Sequence, residues 1–252
     1  NTLRLIRVGE TSFEVELTKE PCKNKMECNV VIKPIVETVL KDAYDVDRVS
    51  CAVRTKNLNC SCRLNLASAL RLNLGFSQVQ SEGTTICGDS YTRFRIKGGI
   101  EVVALSDGMG VGARAAKESN TVISLLEQLL AIGFNKKIAI KIISAVLEIR
   151  SQEETFATLD LLIINTYTGE AEFIKIGAAP SFLKRGNQIG IIKTNSYPMG
   201  ILDLADVKSQ KMILRKGDLV VLLSDCVLDS GEFLDKEEWI VSILKDLRVQ
   251  DP

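Results

Sequence analysis

The chain has 252 residues, of which 46% are hydrophobic and 25% charged. This length and composition predict a folded protein with one large domain, or a large and a small one, and exclude a disordered chain. The 32 basic and 32 acidic side chains cancel, so no overall positive field recruits nucleic acid or an anionic membrane surface.

The sequence contains no histidine. This excludes Ser-His-Asp triads, Cys-His pairs and nearly all catalytic zinc sites, so carboxylates, cysteines, lysines or a metal must perform any chemistry. Seven cysteines, without secretory features, favour reduced thiols in the cytosol over a disulfide framework. No apolar run approaches the roughly 20 residues of a membrane-spanning helix.

Residues 1–68 predict a small α/β module that holds five of the seven cysteines. Alternating apolar residues indicate a strand from Phe13 to Leu17, and helical periodicity extends from Val30 to Tyr44. Two further strands are expected, at Val49 to Val53 and at Arg63 to Ala67.

Residues 69–252 predict a second, larger domain. Strands are expected at 90–96 and 100–106, followed by two amphipathic helices at about 113–131 and 136–150. Later strands are expected at 159–165, 171–176, 182–184, 189–192 and 219–223. Antiparallel hairpins with the helices grouped between them indicate an α+β layered sandwich.

Two aspartates are predicted to face each other across the first hairpin of this domain. If Gly98 is the centre of a three-residue loop, Asp89 lies directly opposite Asp107, with Cβ atoms roughly 4.5–5.5 Å apart. Like charges at that distance destabilise a sheet unless something offsets them, and Mg²⁺ or Mn²⁺ is the simplest compensation. The competing interpretation is that each aspartate ends a strand and caps a turn.

Asp225 is a third candidate ligand. The Leu-Leu-Ser-Asp of residues 222–225 repeats the Ala-Leu-Ser-Asp of residues 104–107, so both runs are expected to end a buried strand in an aspartate. Glycines at alternate positions from Gly108 to Gly112 then permit a tight turn into a helix and close backbone approach to a ligand, and a helix N-terminus favours an anion.

Six motifs occur in order along the larger domain: Gly88-Asp89-Ser90-Tyr91, Ser106-Asp107-Gly108-Met109-Gly110-Val111-Gly112, Thr158-Leu159-Asp160-Leu161, Ile176-Gly177-Ala178-Ala179-Pro180-Ser181-Phe182, Pro198-Met199-Gly200-Ile201 and Ser224-Asp225. Together they resemble the bacterial PPM (type 2C) family of protein serine/threonine phosphatases, in its sporulation branch. The resemblance runs from about residue 70 to the end. The cysteine-bearing segment is similar to the regulatory region that precedes the phosphatase domain in that branch.

The resemblance implies a PPM-like β-sandwich with flanking helices and a site for two Mn²⁺ or Mg²⁺ ions that hydrolyses phosphoserine. In that family the residue matching Asp89 binds one metal and the residue matching Asp107 bridges both. Gly108 would supply a carbonyl, and Asp225 would bind the other metal. A water acidified by two cations would attack phosphorus in line.

The resemblance also implies a partner and a location. The expected substrate is a phosphorylated anti-sigma-factor antagonist, similar to SpoIIAA, whose dephosphorylation activates a sporulation sigma factor. This region would be the cytoplasmic part of a protein that is membrane-anchored in full length, with no membrane contact of its own, and a homodimer is a further expectation.

Three departures from the family pattern occur. Val111 stands where asparagine is usual, and Cys226 stands where glycine follows the metal-binding aspartate. The family's last catalytic aspartate lies in an Asp-Asp-Met-Thr-like carboxy-terminal strand, and no such motif precedes Pro252. We therefore expect weakened metal binding and low activity of the chain as given.

Other interpretations remain open. Cys87 and Arg93 fit the C-x5-R spacing of cysteine-dependent phosphatases, although the residues between them alternate as a strand. The cysteines of the first module could bind structural zinc, although paired C-x-x-C knuckles are absent and free thiols are favoured.

A non-enzymatic interpretation is a regulatory or dimerisation module, in which the helices at 113–131 and 136–150 form the interaction surface. Within the larger domain, Asp160 is interpreted as structural or as supporting the metal ligands, and Arg114 as a weak phosphate contact.

Overall fold

The computed structural model describes residues 2–7, 13–22, 27–51, 59–79, 86–150, 156–194, 196–200, 207–230 and 235–247. The contacts within it form two compact units. The smaller consists of Asn1–Ala69 with Lys97–Gly99 and Thr166–Thr168, and the larger contains the remaining residues. The division into domains at 68/69 stays a prediction.

The smaller unit contains a four-stranded antiparallel sheet and one helical segment. Its strands are β1 (Thr2–Arg7), β2 (Phe13–Lys19), β3 (Tyr44–Ser50) and β4 (Cys60–Leu66), in the order β1-β2-β4-β3. A π-helical turn at Cys28–Ile32 continues into helix α1 (Lys33–Leu40). Alternate residues of β4 are buried, as expected for a sheet with one covered face.

Several limits expected for this unit were wrong, including the strand expected at Arg63 to Ala67, which spans Cys60–Leu66. The helix expected as far as Tyr44 ends at Leu40, because Lys41 adopts a left-handed conformation with φ 61°. The strand expected at Val49 to Val53 begins earlier, at Tyr44, whose buried ring packs in the core of the unit. Residues 52 and 53 lie outside the described part of the chain.

The larger unit contains two antiparallel sheets. The five-stranded sheet has the order β11-β8-β7-β6-β5, and the three-stranded sheet the order β10-β9-β12. The strands are β5 (Asp89–Ile96), β6 (Ile100–Asp107), β7 (Leu159–Asn165), β8 (Glu170–Ile176), β9 (Ser181–Arg185), β10 (Gln188–Ile192), β11 (Ser209–Ile213) and β12 (Leu219–Val221). The helices are α2 (Ala113–Ala131), α3 (Lys136–Arg150), α4 (Asp225–Asp229) and α5 (Lys236–Asp246).

Three apolar clusters arrange these elements in layers. On one face of the five-stranded sheet, Ala104 packs with α2 and α3, where Val122 and Leu126 are fully buried. Side chains of the other face, such as Val103, pack with the three-stranded sheet. The far side of that sheet is covered by α4 and α5 through Phe182. Burying each large apolar side chain contributes about 1.5–3 kcal/mol, so these clusters hold the layers together.

The predicted α+β sandwich is therefore confirmed, as two sheets flanked by two pairs of helices. Both long helices have the predicted bounds. Within the described ranges, no helix combines the length and the apolar character that crossing a membrane requires.

Candidate metal centre

The hairpin of β5 and β6 has the register inferred from the sequence. Asp89 pairs directly with Asp107, and Ile96 with Ile100, so the prediction that the two aspartates oppose each other is confirmed. The three-residue connection ends in two glycines with positive φ, 79° at Gly98 and 68° at Gly99. A residue with a side chain rarely adopts that conformation, so the turn fixes the register.

The alternation of β6 determines which face these carboxylates share. Side chains two residues apart lie on one face of a strand, so Asp107 projects to the same side as Val103, which packs towards the three-stranded sheet. Asp225 follows β12, which belongs to that sheet. The layer packing thus brings the third candidate to the side on which the opposed pair projects.

Asp225 does not end a strand, contrary to the expectation. Pairing of β12 with β9 ends at Val221, and Asp225 is the first residue of α4 after an extended Ser224. An acidic residue in the first turn of a helix is favoured by the helix dipole. Asp225 nevertheless lines the same small cavity as Asp107, and both Asp225 and Asp89 raise the pKa of the Asp107 carboxyl group.

The electrostatics of this cluster centre on Asp107. The pKa of Asp107 is raised to about 8, first by burial and then by the neighbouring Asp225 and the charge of Asp89. A carboxyl group with a pKa this high keeps its proton at neutral pH unless a cation compensates its charge. Burial, and then the same three aspartates, raise the pKa of the neighbouring Cys226 thiol, against a hydrogen bond from Ser224 that lowers it.

The end of β6 is held by a network of hydrogen bonds to Thr158. The Thr158 side chain accepts from the Asp107 backbone N–H at 2.9 Å, and its backbone N–H donates to the Asp107 carbonyl at 2.8 Å. The Ser106 hydroxyl donates to the Thr158 carbonyl at 2.7 Å. The backbone that carries Asp107 is therefore fixed before the glycine-rich turn begins.

Gly108 lies tightly against the first turn of α2. A Cβ atom at this position would be 1.9 Å from the carbonyl oxygen of Ala115. The close approach requires glycine, whereas Val111 in the same turn is 69% exposed, and no packing contact explains its departure from the family pattern. Arg114 is exposed at the start of α2, and its contact with phosphate stays a prediction.

Two cavities adjoin the carboxylates. One of about 570 Å³ is lined by Asp89 together with residues of β5 and α2. A small one of about 20 Å³ is lined by Asp107, Asp225, Thr158 and Asp160. Asp89 therefore faces the wide cavity, and Asp107 and Asp225 face the small one.

Asp160 is buried in an ion pair that the sequence did not reveal. Lys175 lies directly opposite it on β8, with Nζ 2.6 Å from Oδ2, and Ser181 donates to the same oxygen. Burial raises the pKa of Asp160 and lowers that of Lys175, while their mutual attraction opposes both shifts. The signal that could have revealed it is a lysine inside the apolar run Phe173-Ile174-Lys175-Ile176, since a buried lysine needs a partner.

The chemistry of the donors fits Mg²⁺ or Mn²⁺, which prefer carboxylate and carbonyl oxygens. Among the described residues, however, no three His, Cys, Asp or Glu side chains form a group that could hold a metal ion as they stand. Donor type, rather than a preformed ligand geometry, supports a metal here.

The cysteine-based alternatives find less support. The residues after Cys87 form β5 rather than a loop around a phosphate, and Arg93 is paired with Glu101. All seven cysteines are free thiols, and the described part of the chain contains no cysteine group suited to zinc. In the smaller unit, Cys28 and Cys62 are buried in its core.

Comparison with known proteins identifies the fold. The structure matches the PP2C phosphatase domain with a fragment of the regulatory domain of the cell fate determinant SpoIIE from Bacillus subtilis, at TM-score 0.76 and 30% identity, covering 100% of this chain and 73% of that one. The phosphatase domain of the same protein, in a crystal form without domain swapping, matches at TM-score 0.52 and 31% identity, covering 84% and 80%. The chain thus has the fold of a PP2C-type phosphatase domain.

Sequence comparison gives the particular family. The model of Stage II sporulation protein E (SpoIIE) matches residues 98–251, so the chain belongs to the SpoIIE family. It is 30% identical over 253 residues to Stage II sporulation protein E of Priestia megaterium and 31% identical over 251 residues to that of Bacillus subtilis (strain 168). The chain spans 43% and 30% of the length of these relatives.

Proposed function

We propose that the chain hydrolyses phosphoserine in a protein substrate with the help of two Mn²⁺ or Mg²⁺ ions. Asp89, Asp107, Asp225 and the carbonyl of Gly108 would hold the ions. The observation that carries the proposal is that Asp89 opposes Asp107 and Asp225 lines the same cavity as Asp107, whose pKa is raised to about 8. In a PP2C-type domain without histidine, such a cluster is the natural place for divalent cations.

When bound, the ions would supply an acidified water and neutralise charge on the phosphoryl group. The chain itself positions the ligands. Ser119 of α2 donates to the Gly88 carbonyl at 2.6 Å and lies 2.8 Å from the Ser90 hydroxyl, so the helix is fastened on both sides of Asp89. Thr158, directly before β7, fixes the backbone of Asp107 in the same way. Both aspartates are therefore held by backbone anchors rather than by each other.

The proposed substrate is a phosphorylated anti-sigma-factor antagonist similar to SpoIIAA, with activation of a sporulation sigma factor as the outcome. Membership of a sporulation stage II family supports this choice. We place the reaction in the cytoplasm, where the seven free thiols would stay reduced.

The test is phosphate release from a phosphoserine protein with and without added Mn²⁺. We expect release only with the metal, and a loss of about 100-fold or more in Asp107→Asn and Asp225→Asn, since a metal contributes several kcal/mol to such a transition state. Asp246→Asn makes the same chemical change on α5, outside the cluster, and Cys87→Ser removes the alternative nucleophile. Both should retain activity.

Two outcomes would contradict the proposal. Loss of activity in Cys87→Ser but not in Asp107→Asn would favour a cysteine nucleophile. Absence of Mn²⁺-dependent release from the wild-type chain, alone and extended at its carboxyl terminus, would favour the regulatory or dimerisation module.

A further inference from the structure

The ion pair of Asp160 and Lys175 lies beside the predicted metal ligands and is completely buried. Both side chains are 1% exposed. Oδ2 of Asp160 accepts from Lys175 Nζ and from the Ser181 hydroxyl, each at 2.6 Å. Lys175 also donates to the Ala179 carbonyl at 2.5 Å. One carboxylate oxygen is thus held by two donors, and its lysine partner also fixes the following loop.

The other oxygen of the same carboxylate, Oδ1, differs from Oδ2 in its hydrogen bonding. Among the described residues, nothing donates a hydrogen bond to Asp160 Oδ1, although the atom is buried. A buried acceptor without a partner is costly, and more so on a charged group. A purely structural ion pair would gain stability from a donor on this oxygen as well.

A water molecule in the small cavity would supply that donor. The cavity is lined by Asp160 together with Asp107, Asp225 and Thr158, and its volume of about 20 Å³ is enough for one water molecule. A buried water needs two or more polar partners. Its two protons could be donated to Asp160 Oδ1 and to a carboxylate oxygen of Asp107 or Asp225.

We propose that Asp160 is a positioning residue of the metal centre, whose Oδ1 binds one ordered water that also hydrogen-bonds to Asp107 or Asp225. This inference rests on the proposed function. Lys175 and Ser181 hold the carboxylate in one orientation, so the water has a fixed acceptor. Partners that orient metal ligands from behind typically change metal affinity by 10–100-fold.

Two variants remove the acceptor in different ways. Asp160→Asn keeps the shape, but its carbonyl oxygen must face the Lys175 donor, which turns the NH₂ group towards the cavity. Because that variant leaves the lysine charge buried and unpaired, it can fail to fold. The double variant Asp160→Leu, Lys175→Met replaces the pair with apolar groups of similar size, a change that is often tolerated. Ser181→Ala is the matched control, since it removes a bond to Oδ2 and leaves Oδ1 unchanged.

The measurements are the Mn²⁺ dissociation constant, from the electron paramagnetic resonance signal of free Mn²⁺, and a high-resolution crystal structure of the wild-type chain. Variants whose thermal unfolding shows a folded larger unit are compared. We expect about 10-fold weaker binding or more in both acceptor variants and a change of less than about 2-fold in Ser181→Ala. The crystal structure should show a water about 2.6–3.2 Å from Oδ1.

An empty cavity, or Mn²⁺ binding by the folded double variant as tight as in the wild type, would overturn the inference. If the acceptor variants do not fold, the crystal structure alone decides. Asp107→Asn separates this failure from a failure of the proposed function. If Asp107→Asn binds Mn²⁺ more weakly and the Asp160 variants bind it as tightly as the wild type, only this inference is wrong. When the wild type binds no Mn²⁺ and equals Asp107→Asn, the proposed function fails and the inference with it.

Discussion

Gly108→Ala is the substitution whose consequence the structure defines most closely. An added Cβ would lie 1.9 Å from the Ala115 carbonyl oxygen and 2.9 Å from the Ala115 Cα. Both atoms are backbone of the first turn of α2, so no side-chain rotation relieves the contact. Because the φ of Gly108 is not positive, the cost is steric rather than conformational.

The magnitude follows from the displacement that alanine would require. The contact must open by at least about 1.1 Å to reach the 3.0 Å below which real Cβ contacts essentially never fall. The helix cannot follow freely, since Val122 and Leu126 are fully buried against the sheet. Overpacking typically costs about 1–3 kcal/mol, and backbone displacement of a packed helix places this case near about 3 kcal/mol.

The assay is urea unfolding followed by the fluorescence of Trp239, the single tryptophan, which lies on α5 in the larger unit. The matched control is Gly190→Ala, where the added Cβ meets nothing closer than the Leu183 carbonyl oxygen at 3.9 Å. That change should stabilise the strand by about 0.5–1 kcal/mol. A free energy of unfolding for Gly108→Ala within about 0.5 kcal/mol of the wild type would refute the steric reasoning.

Two further predictions concern pH. Burial alone would raise the pKa of Asp218, but hydrogen bonds from Arg185 and Arg215 lower it below 3.8. The ionised Asp218 therefore stabilises the fold above pH 3.8, and this stabilisation is lost as pH falls through the lower pKa of the folded state. Calorimetry at pH 3–5 should show that the melting temperature of Asp218→Asn depends less on pH than that of the wild type. Asp107 has the opposite sign, because its pKa of about 8 makes the metal-free protein lose stability as pH rises from about 4 to 8. The stability of Asp107→Asn should not fall over this pH range, and Mn²⁺ should not stabilise this variant as it stabilises the wild type. A melting temperature that responds to pH and to Mn²⁺ as in the wild type would contradict the role of Asp107 as a metal ligand.

The opposed aspartates could be predicted from the sequence because their relation is local. A two-residue period and a glycine turn determine which residues of a hairpin face each other, and no distant part of the chain enters. The limits of α2 and α3 were predictable for the same reason, since the apolar spacing lies within the helices and the stop at Gly133 directly follows α2.

The failures occurred where a neighbouring element decides the structure. The run from Val30 to Tyr44 keeps an apolar spacing that suits a helix. Tyr44 is nevertheless the first residue of β3, which pairs with a strand from another part of the chain. The strand before Asp225 ends near the start of its antiparallel partner β9, at the pair Val221 and Phe182. Neither limit is encoded in the local pattern.

The sheet register explains why a local pair becomes part of a larger site. Leu105 pairs with Asp160 across β6 and β7, and Asp160 pairs with Lys175 across β7 and β8. Directly paired residues share a face, and Asp107 lies two residues beyond Leu105 on that same face. One row of the sheet therefore places the buried ion pair next to the opposed aspartates, on the side from which Asp225 arrives. A carboxylate buried in this row is held at a fixed distance from the ligands by backbone pairing, which is the rigidity that positioning a water requires.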